Sequence, residues 1–514
     1  MGEVSPSLQP PEAFFATPSA GVPATPRLES KMTNLKYTPE EPIAAIATAL
    51  APAALGIVRC SGKNCIELFS KIFSRPKALL EAAGNSIVYG WILDGNSKID
   101  EILVSVFRAP KSFTGEDMIE ISCHGGVHVV QNVYNLLLNS GFRAAERGEF
   151  TFRAYINGKA DLTKAEAVRE IIDSKTDESQ GRAAGRLAGN LYEAIDGVKK
   201  HIVDTLAAIE VEIEYPEDEE TIADSFDSTE LKKAEAMLEQ LASSWKSEKI
   251  YQDGARVVLC GRTNAGKSSL FNALLKEDRA IVSDIEGTTR DFIESWIDFS
   301  GIPARLFDTA GLRETSDVIE AVGVERTKDL SEEADLILYL VDSTSGLNED
   351  DKKFIEEHIN GHMNGKISDF SETRSKPASQ VLPASPSLPI ILVWNKCDVE
   401  SGTAANGFEQ LPQVRISAKK GIGLGELSEA VRKALSVSES TERGITGLGS
   451  ERQKVSVEKA LESVRHALEL TEDYALDAVV QDLEDSLDAL GEVTGDVTPD
   501  DVLGSIFSHF CVGK

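Results

Sequence analysis

The sequence of 514 residues contains few cysteines and no long apolar run. Its six cysteines form no CxxC pair and no regular spacing, so we expect no disulfide framework. Their pattern favours a reducing, cytoplasmic compartment, with an organelle as the alternative. No apolar run approaches the roughly 20 residues that a helix needs to cross a bilayer. The composition therefore predicts a soluble protein.

Basic residues are also in short supply. The chain has 53 Lys and Arg against 84 Asp and Glu, which gives a formal net charge of −31. A nucleic acid would meet a repulsive field except at local basic patches, so we do not expect this chain to bind tRNA or DNA tightly without help. The length predicts about three domains, each able to bury its own core.

The first 31 residues lack the apolar residues of a core and are rich in Pro, Ser and Ala. Three glutamates lie among them, whereas a transit peptide is rich in arginine and poor in acids. We therefore predict a disordered tail over residues 1–35. The alternative is a start codon assigned too early, with Met32 as the true start.

The clearest positive feature is a glycine-rich loop, Gly261–Ser268. It follows an apolar run that predicts a buried strand, and it precedes a segment with helical spacing. This context is typical of a P-loop, in which backbone N–H groups surround phosphates, Lys267 reaches the β- and γ-phosphates and Ser268 ligates Mg²⁺. For a lone match, a helix-capping loop is the alternative.

Three further motifs follow in the order of a guanine-nucleotide domain. Asp308–Gly311 ends an apolar strand, which places a carboxylate near Mg²⁺ and a glycine amide near the γ-phosphate. Asn395–Asp398 closes another strand, where an aspartate can accept two guanine protons that adenine does not offer as a pair. Ser417–Lys419 follows a further strand, where its backbone can contact the guanine oxygen. Together the four motifs predict a GTPase.

The flanking segments predict a multidomain protein. Residues 36–155 mix strand-like runs with one helix and predict an N-terminal α+β domain. Residues 156–250 and 445–514 have helical periodicity and predict one α-helical bundle, with an α/β P-loop GTPase (Ras-like) domain at 251–440 inserted between them. Within that domain, residues 361–388 are polar and predict a flexible insertion.

The segment Cys123–His128 contains one cysteine and two histidines. A zinc site is one interpretation, but the chain has only seven histidines and no matching cluster. A turn from a strand into the helix predicted at 127–138 is the simpler interpretation.

Four motifs resemble those of the MnmE (TrmE) family of tRNA-modification GTPases. They are the P-loop run, the run Asp284–Asp291, the run that begins at Asp308 and the final Phe510–Lys514. The resemblance covers residues 40–514. It implies an N-terminal domain that dimerises and binds a tetrahydrofolate, a helical domain and an inserted G domain.

The resemblance also implies a reaction and partners. A homodimer would work with the flavoprotein MnmG (GidA) to add an aminomethyl or carboxymethylaminomethyl group to carbon 5 of the wobble uridine in tRNA. The one-carbon donor would be 5,10-methylene- or 5-formyl-tetrahydrofolate, and K⁺-stimulated GTP hydrolysis would depend on G-domain dimerisation. The partner would supply most contacts with tRNA, which agrees with the acidic composition.

One catalytic residue of Ras-like GTPases is absent, because Leu312 follows the Asp308–Gly311 motif where those enzymes have a water-orienting glutamine. The resemblance implies that Glu320 orients the water and that a K⁺ ion stabilises charge between the phosphates. The alternatives are that Asn264 only stiffens the loop and that Glu320 is a surface acid. The implied K⁺ ligands are Asn264, Ser283, Ile285 and Thr288.

The motifs and the resemblance together define the expected nucleotide site. Its predicted residues are Asn264, Ala265, Gly266, Lys267, Ser268, Ser269, Ser283, Thr288, Thr289, Asp308, Gly311, Asn395, Lys396, Asp398, Ser417, Ala418 and Lys419, with Ser268 and Thr289 on Mg²⁺ and with Asn264, Lys267 and Glu320 in catalysis.

The resemblance implies a folate site as well. Arg59 and Lys159 would bind carboxylates of the donor, Glu120 would hydrogen-bond the pterin edge, and Lys514 would come from the chain terminus. Each of these could instead form a surface ion pair. Cys511 is a candidate nucleophile or redox partner, with a buried packing thiol as the alternative.

Two other classes of function stay open. A pure GTP switch, such as a ribosome-assembly GTPase, would typically contain a basic RNA-binding module, and none is evident here. A folate-dependent one-carbon transferase with GTP as regulator would need no GTP for its chemistry.

Overall fold

The computed structural model describes residues 41–214, 228–276, 294–308, 334–361, 389–399, 408–435, 447–472 and 476–513. The chain divides into two compact units. The first contains the chain up to Arg169 together with Asp488–Lys514, and the second is Glu170–Leu487. The predicted tail at 1–35 and the predicted insertion after residue 361 lie outside the described residues.

The first unit is organised around a six-stranded sheet. Its strands are β1 (Ile43–Ile46), β2 (Leu55–Ser61), β3 (Ser86–Asp94), β4 (Ser97–Phe107), β5 (Met118–His124) and β6 (Arg143–Ala144). The order is β3-β4-β5-β2-β1-β6, and all neighbours are antiparallel except β1 and β6. Buried and exposed positions alternate along β4, so the sheet has one face in the core.

Helices cover that buried face and extend the unit. They are α1 (Cys65–Ser70), α2 (Pro76–Leu80), α3 (Val127–Asn139), α4 (Glu149–Ile156) and α5 (Leu162–Asp173), with the latter continuing into the second unit. Helix α3 packs Val130, Val133 and Leu137 into the core, which confirms the helix predicted at 127–138. The opposite face of the sheet leaves Ile87 and Tyr89 exposed.

The C-terminal segment also packs in the first unit. Helix α14 (Asp500–Ser508) lies against α4, and the rings of Phe152 and Phe507 meet edge to face at 5.2 Å. The buried cluster around them includes Leu503 and Phe510. The helix therefore docks through large apolar side chains.

The second unit contains a six-stranded α/β sheet. Its strands are β7 (Ala255–Gly261), β8 (Glu294–Phe299), β9 (Ile302–Asp308), β10 (Leu336–Asp342), β11 (Ile390–Asn395) and β12 (Gln413–Arg415). The order is β12-β11-β10-β7-β9-β8, and only β8 runs antiparallel to its neighbour. Strand β11 is buried at every position, because helices cover both faces of such a sheet. The described helices here are α9 (Lys267–Lys276), α10 (Glu349–Gly361) and α11 (Leu424–Leu435).

Long helices complete the second unit. They are α6 (Asp177–Ala188), α7 (Asn190–Glu214), α8 (Thr229–Asp253), α12 (Glu451–Glu472) and α13 (Leu476–Thr494), whose last turns belong to the first unit. Helix α8 packs against α7 and α12, so helices from before and after the second sheet contact each other. The elements confirm the predicted fold class of α+β, helical and P-loop α/β parts. None of the described helices combines the length and the apolarity that a membrane span requires.

The α/β sheet is inserted through two adjacent connections. The chain leaves the bundle at the end of α8, and the described part of its return to the bundle begins at residue 447. Gln252 donates from Nε2 to the carbonyl of Gly449 at 2.8 Å. Between these connections the buried Arg186 pairs with Glu248 at 2.8 Å and with Glu170 at 2.6 Å. Both ends of the insertion are therefore fixed on one buried ion-pair cluster.

The turn between β8 and β9 touches the bundle. Thr176 caps the N-terminus of α6, accepting the N–H of Ser179, and its Oγ1 donates to the carbonyl of Gly301 at 2.8 Å. Gly301 has a φ of +96°, and an added Cβ would lie 2.7 Å from Cγ of Glu178. The turn can approach the helix this closely because residue 301 has no side chain.

Candidate functional site

Each of the four predicted nucleotide motifs has a described residue at one edge of the second sheet. Gly261, Asp308 and Asn395 are the last residues of three parallel strands, β7, β9 and β11, and Ser417 follows β12. The chain turns to opposite sides of β7 as it continues to β9 and to β10. Ligands of open α/β sheets bind at such a switch point, outside the carboxyl ends of the strands.

The P-loop backbone requires residues that tolerate positive φ. Gly261 has a φ of +126°, Asn264 of +65° and Gly266 of +100°. An added Cβ at Gly266 would overlap Nδ2 of Asn395, and one at Gly261 would overlap the carbonyl oxygen of Leu340. The two glycines are therefore required both for backbone conformation and for space.

Asn395 joins three of the predicted motifs. Its side chain is buried, and Nδ2 donates to the carbonyl of Ala265 in the P-loop at 2.9 Å. Its Oδ1 accepts the backbone N–H of Ala418 at 3.0 Å and that of Lys396 at 2.8 Å. One amide thus fixes the phosphate-side loop relative to both guanine-side segments.

Asp398 is held as a hydrogen-bond acceptor. The hydroxyl of Ser417 donates to Oδ1 at 2.7 Å, and the ammonium of Lys420 lies 3.4 Å from Oδ2. The Ser417 bond, aided by Lys420, lowers the pKa of Asp398 from its ordinary value. The carboxylate is therefore ionised at neutral pH, as a guanine acceptor must be.

Lys396 pairs with an aspartate that the sequence motifs did not include. Asp342 and Asn395 end the neighbouring strands β10 and β11 in register, so the lysine next to Asn395 reaches Asp342 Oδ2 at 2.6 Å. Burial opposes ionisation of Asp342, but bonds from Lys396 and Thr344 outweigh it and lower its pKa. Lys396 adopts a φ of +65° at this position.

The remaining predicted nucleotide residues are either described by the structure or lie outside its described residues. Among the described ones, Lys267 begins α9 and donates from Nζ to the carbonyls of Gly261 at 2.5 Å and Arg262 at 3.0 Å. Ser268, Ser269 and Lys419 are exposed. The backbone of Asp308 is paired with Leu259 in the sheet. The predicted residues outside the described part of the chain are Ser283, Ile285, Thr288, Thr289, Gly311 and Glu320.

In the first unit, Arg59 is the centre of the residues predicted to bind folate. It stands opposite Glu120 in the β2–β5 pairing, and its Nε lies 3.0 Å from Glu120 Oε1. The rings of Phe113 and Phe150 each lie 5.1 Å from the guanidinium carbon. Burial lowers the pKa of Arg59, and the charge of Glu120 opposes that shift. A buried guanidinium with several donors suits an anionic or carbonyl-rich ligand.

The C-terminal segment reaches the same cluster. Arg59 donates from Nη1 to the carbonyl of Gly513 at 3.1 Å. Gly513 has a φ of +95°, and an added Cβ would lie 2.8 Å from the carbonyl oxygen of Ile46, so glycine is required there. Cys511 is exposed, and the alternative of a buried packing thiol is therefore wrong. Lys514 lies outside the described residues.

Lys159 is exposed and does not join the Arg59 ion pair among the described contacts. Its Cγ would lie 3.3 Å from a Cβ added at Gly115, in the loop that also contains Phe113. The structure thus brings together Arg59, Glu120 and the residue before Lys514, and it places Lys159 beside the adjacent loop.

An ion-pair network beneath this loop was not anticipated from the sequence. Arg153, fully buried, pairs with Glu116 and with Glu149, each at 2.8 Å. Glu149 also pairs with Arg143 at 2.6 Å. Glu149 and Arg153 are four residues apart on α4, and that spacing is the signal that could have indicated a pair.

The Cys123–His128 segment forms the predicted turn from a strand into a helix, β5 into α3. Cys123 is buried, and Nδ1 of His124 lies 2.7 Å from Asp100 Oδ1. Within the described part of the chain, no group of three His, Cys, Asp or Glu side chains is arranged to hold a metal.

Comparison with known proteins identifies the family. The model for the MnmE helical domain matches residues 162–511, and that for the GTP-binding protein TrmE N-terminus matches residues 42–159. Two relatives are both named tRNA modification GTPase MnmE. That of Treponema denticola is 51% identical over 491 residues, 93% of this chain and 99% of the relative. That of Borrelia recurrentis is 39% identical over 489 residues, again 93% and 99%. The resemblance seen in the motifs is confirmed, and the chain belongs to the MnmE family of tRNA modification GTPases.

Proposed function

We propose that this chain hydrolyses GTP and, with the flavoprotein MnmG, uses a tetrahydrofolate one-carbon unit to modify carbon 5 of the tRNA wobble uridine. The product would bear an aminomethyl or carboxymethylaminomethyl group. The observation that supports this most is the presence of two sites in one chain. One is a nucleotide site joined by Asn395, and the other is the Arg59 cluster that contacts Gly513. A simple nucleotide switch would not need the second site.

The nucleotide site fits GTP in its described residues. Asp398 is an ionised acceptor for guanine, and the P-loop amides and the N-terminus of α9 supply positive potential for phosphates. Ser268, in the first turn of α9, would ligate Mg²⁺ together with Thr289. Mg²⁺ would neutralise charge that develops on the phosphates.

For hydrolysis we propose that Asn264 is a K⁺ ligand and that Glu320 orients the attacking water. Asn264 is exposed on the P-loop in the left-handed conformation, where its side chain is accessible. K⁺ would supply positive charge between the phosphates when two G domains meet. We expect faster GTP hydrolysis in KCl than in NaCl at equal ionic strength.

The matched variant for this test is Asn264→Ala, which should remove the difference between the two salts. Lys353→Gln is the control, because it changes an exposed residue of α10 and should keep the difference. Equal rates of the unsubstituted chain in both salts would contradict the role of K⁺.

The Arg59 cluster is the proposed folate site. The guanidinium donates toward Gly513 and pairs with Glu120 at 3.0 Å, and Phe113 forms an exposed apolar wall beside it. These features suit the carboxylates and the ring of a folate, with Lys159 and Lys514 as further cations. The bound folate would supply the one-carbon unit.

Direct binding tests the folate site. We expect the affinity for 5-formyltetrahydrofolate, measured by calorimetry, to fall about tenfold or more in Arg59→Lys and Lys159→Ala. Lys77→Gln changes an exposed pair in the same unit and should bind normally. Unchanged affinity in both site variants would place the folate elsewhere.

We further propose that the chain forms a homodimer through the sheet of the first unit, in the cytoplasm, and joins MnmG. The exposed side chains of Ile87, Tyr89 and Leu103 lie on one face of that sheet, and an apolar face of this kind suits burial in an interface. Light scattering should give the dimer mass, and Ile87→Asp should give the monomer. A monomeric unsubstituted chain would contradict this part.

The whole proposal is tested in a bacterial strain that lacks its own MnmE. Mass spectrometry of wobble nucleosides should show restored modification with the intact chain and none with a chain that lacks Lys514. A chain that binds GTP but never restores modification, even with its own MnmG supplied, would favour the switch alternative. Restoration by a variant unable to bind GTP would favour the transferase alternative.

A further inference from the structure

Arg262, the second residue of the P-loop, contacts the segment that follows β10. Its Nε lies 2.9 Å from Asp351 Oδ2, and its Nη2 donates to the carbonyl of Gly346. Gly346 follows β10, and Asp351 lies in the first turn of α10. The guanidinium therefore connects the P-loop to α10 and to the turn that precedes it.

Asp351 is a fixed anchor for this contact. Its carboxylate is 2% exposed, and Oδ1 accepts the hydroxyl of the buried Tyr339 at 2.7 Å. Oδ2 accepts the backbone N–H of Asn348 at 2.9 Å, and the N–H of Asp351 donates to Asn348 Oδ1 at 2.8 Å. The carboxylate of Asp351 is therefore held by the N-terminal cap of α10 and by Tyr339 of β10. A side chain fixed in this way can hold the Arg262 guanidinium in one position.

The loop that Arg262 anchors also holds the P-loop lysine. Lys267 donates from Nζ to the carbonyls of Gly261 at 2.5 Å and Arg262 at 3.0 Å. The start of the loop has little freedom, because Gly261 lies against the carbonyl of Leu340. The Arg262 side chain therefore fixes the stretch of backbone that in turn orients Lys267.

We propose that Arg262 and Asp351 are a positioning pair that fixes the P-loop on α10 so that Lys267 and the loop amides are preorganised for the phosphates of GTP. This inference rests on the proposed GTPase function. Neither residue contacts the nucleotide in this role. Their contribution is to binding, because groups already in place lose less freedom when the ligand arrives.

Nucleotide binding by the full chain tests the pair. We expect Arg262→Gln to weaken fluorescent GDP and GTP analogues about tenfold, which corresponds to about 1.4 kcal/mol, and to raise KM for GTP while kcat changes less than about threefold. Arg262→Lys keeps the charge but loses the fork of donors and should recover part of the affinity. The double variant Arg262→Gln with Asp351→Asn should bind nucleotide no more weakly than the weaker-binding of the two single variants.

If the pair had a purely structural role, its loss would lower thermal stability without a specific loss of nucleotide affinity. Two controls distinguish this role from the proposed one. Lys353→Gln removes an exposed pair from the same helix, 3.9 Å from Glu357, and should bind nucleotide normally. Thermal unfolding of each variant reports stability separately. Lower thermal stability with unchanged nucleotide affinity in both Arg262 variants would overturn the proposal. Additive effects in the double variant would also overturn it.

The proposed function can fail independently. If the unsubstituted chain does not bind guanine nucleotides, the GTPase proposal is wrong and the Arg262 pair loses its basis. If it binds them and Arg262→Gln binds equally well, only the positioning pair is wrong.

Discussion

At the scale of single residues, Asp398 offers the most direct test of guanine recognition. Asp398→Asn replaces an ionised acceptor by an amide that can accept only one of the two guanine protons. A hydrogen bond to a charged group contributes about 1.5–3 kcal/mol, so GTP affinity should fall by roughly 10- to 150-fold. Competition with ATP and xanthosine triphosphate measures the effect. If Asp398 accepts the guanine protons, the variant should gain affinity for these nucleotides relative to GTP. Unchanged relative affinities would contradict the acceptor role.

The buried Glu149 should make the first unit sensitive to acid. Burial alone would raise the pKa of Glu149, but bonds from Arg143, the backbone of Glu146 and Arg153 outweigh it and lower the pKa. A carboxylate with a lowered pKa stabilises fully above its ordinary value of about 4.3 and loses this contribution as the pH falls through the lowered value. We expect reduced hydrogen-exchange protection of β2 and α4 below about pH 4.

The matched variant Glu149→Gln should already lose about 3–5 kcal/mol of local stability at neutral pH, because it leaves buried arginine charge without this partner. Its remaining stability should depend less on pH between about pH 5 and pH 3 than that of the unsubstituted chain. Glu81→Gln, in an exposed pair, is the control. An unchanged pH dependence in Glu149→Gln would show that another group titrates.

The residues of the nucleotide site could be predicted from sequence more fully than their contacts. Asn395 and Asp398 stand in a short motif whose chemistry is local. The bond from Asn395 to Ala265 joins residues 130 positions apart, and no spacing rule indicates it. The Arg59 and Glu120 pair likewise depends on the register of β2 against β5, which is fixed by the whole sheet.

At the scale of elements, the contact between α6 and the turn after β8 is testable. Thr176→Ala removes the helix cap and the hydrogen bond to Gly301, and loss of a cap costs about 1 kcal/mol. Hydrogen exchange should become faster in both α6 and residues 294–308. Thr176→Ser keeps the hydroxyl and should leave both segments protected. Faster exchange confined to α6 would mean that the turn does not depend on the contact.

Strands β7 and β11 of the second sheet were among the easiest elements to predict. They are buried at most positions and have largely apolar sequences, because helices cover both faces of a parallel sheet. Strand β10 is just as apolar but was not predicted. Strand β3 was not predicted, since it lies at a sheet edge, contains Gly90 and leaves Ile87 and Tyr89 exposed. Its β-branched and aromatic residues do carry a strand signal, which Gly90 interrupts.

At the scale of the whole molecule, the inserted sheet should be separable from the helical bundle. The connections to it are adjacent, since Gln252 contacts Gly449 at 2.8 Å. Replacing residues 255–446 by a short Gly/Ser linker should leave a folded chain that keeps the helices of the bundle and the first sheet and does not bind nucleotide. Circular dichroism and light scattering measure the outcome. A linker variant that is unfolded or aggregated would show that the bundle needs the insertion for its own stability.

The contact between Arg59 and Gly513 also has a consequence for the order in which the protein is made. The two residues are 454 positions apart, so a ribosome must synthesise the whole nucleotide sheet before they can meet. The nucleotide sheet is synthesised well before that point, and domains generally fold as units during synthesis. A nascent chain could therefore bind GTP while its Arg59 cluster was still incomplete.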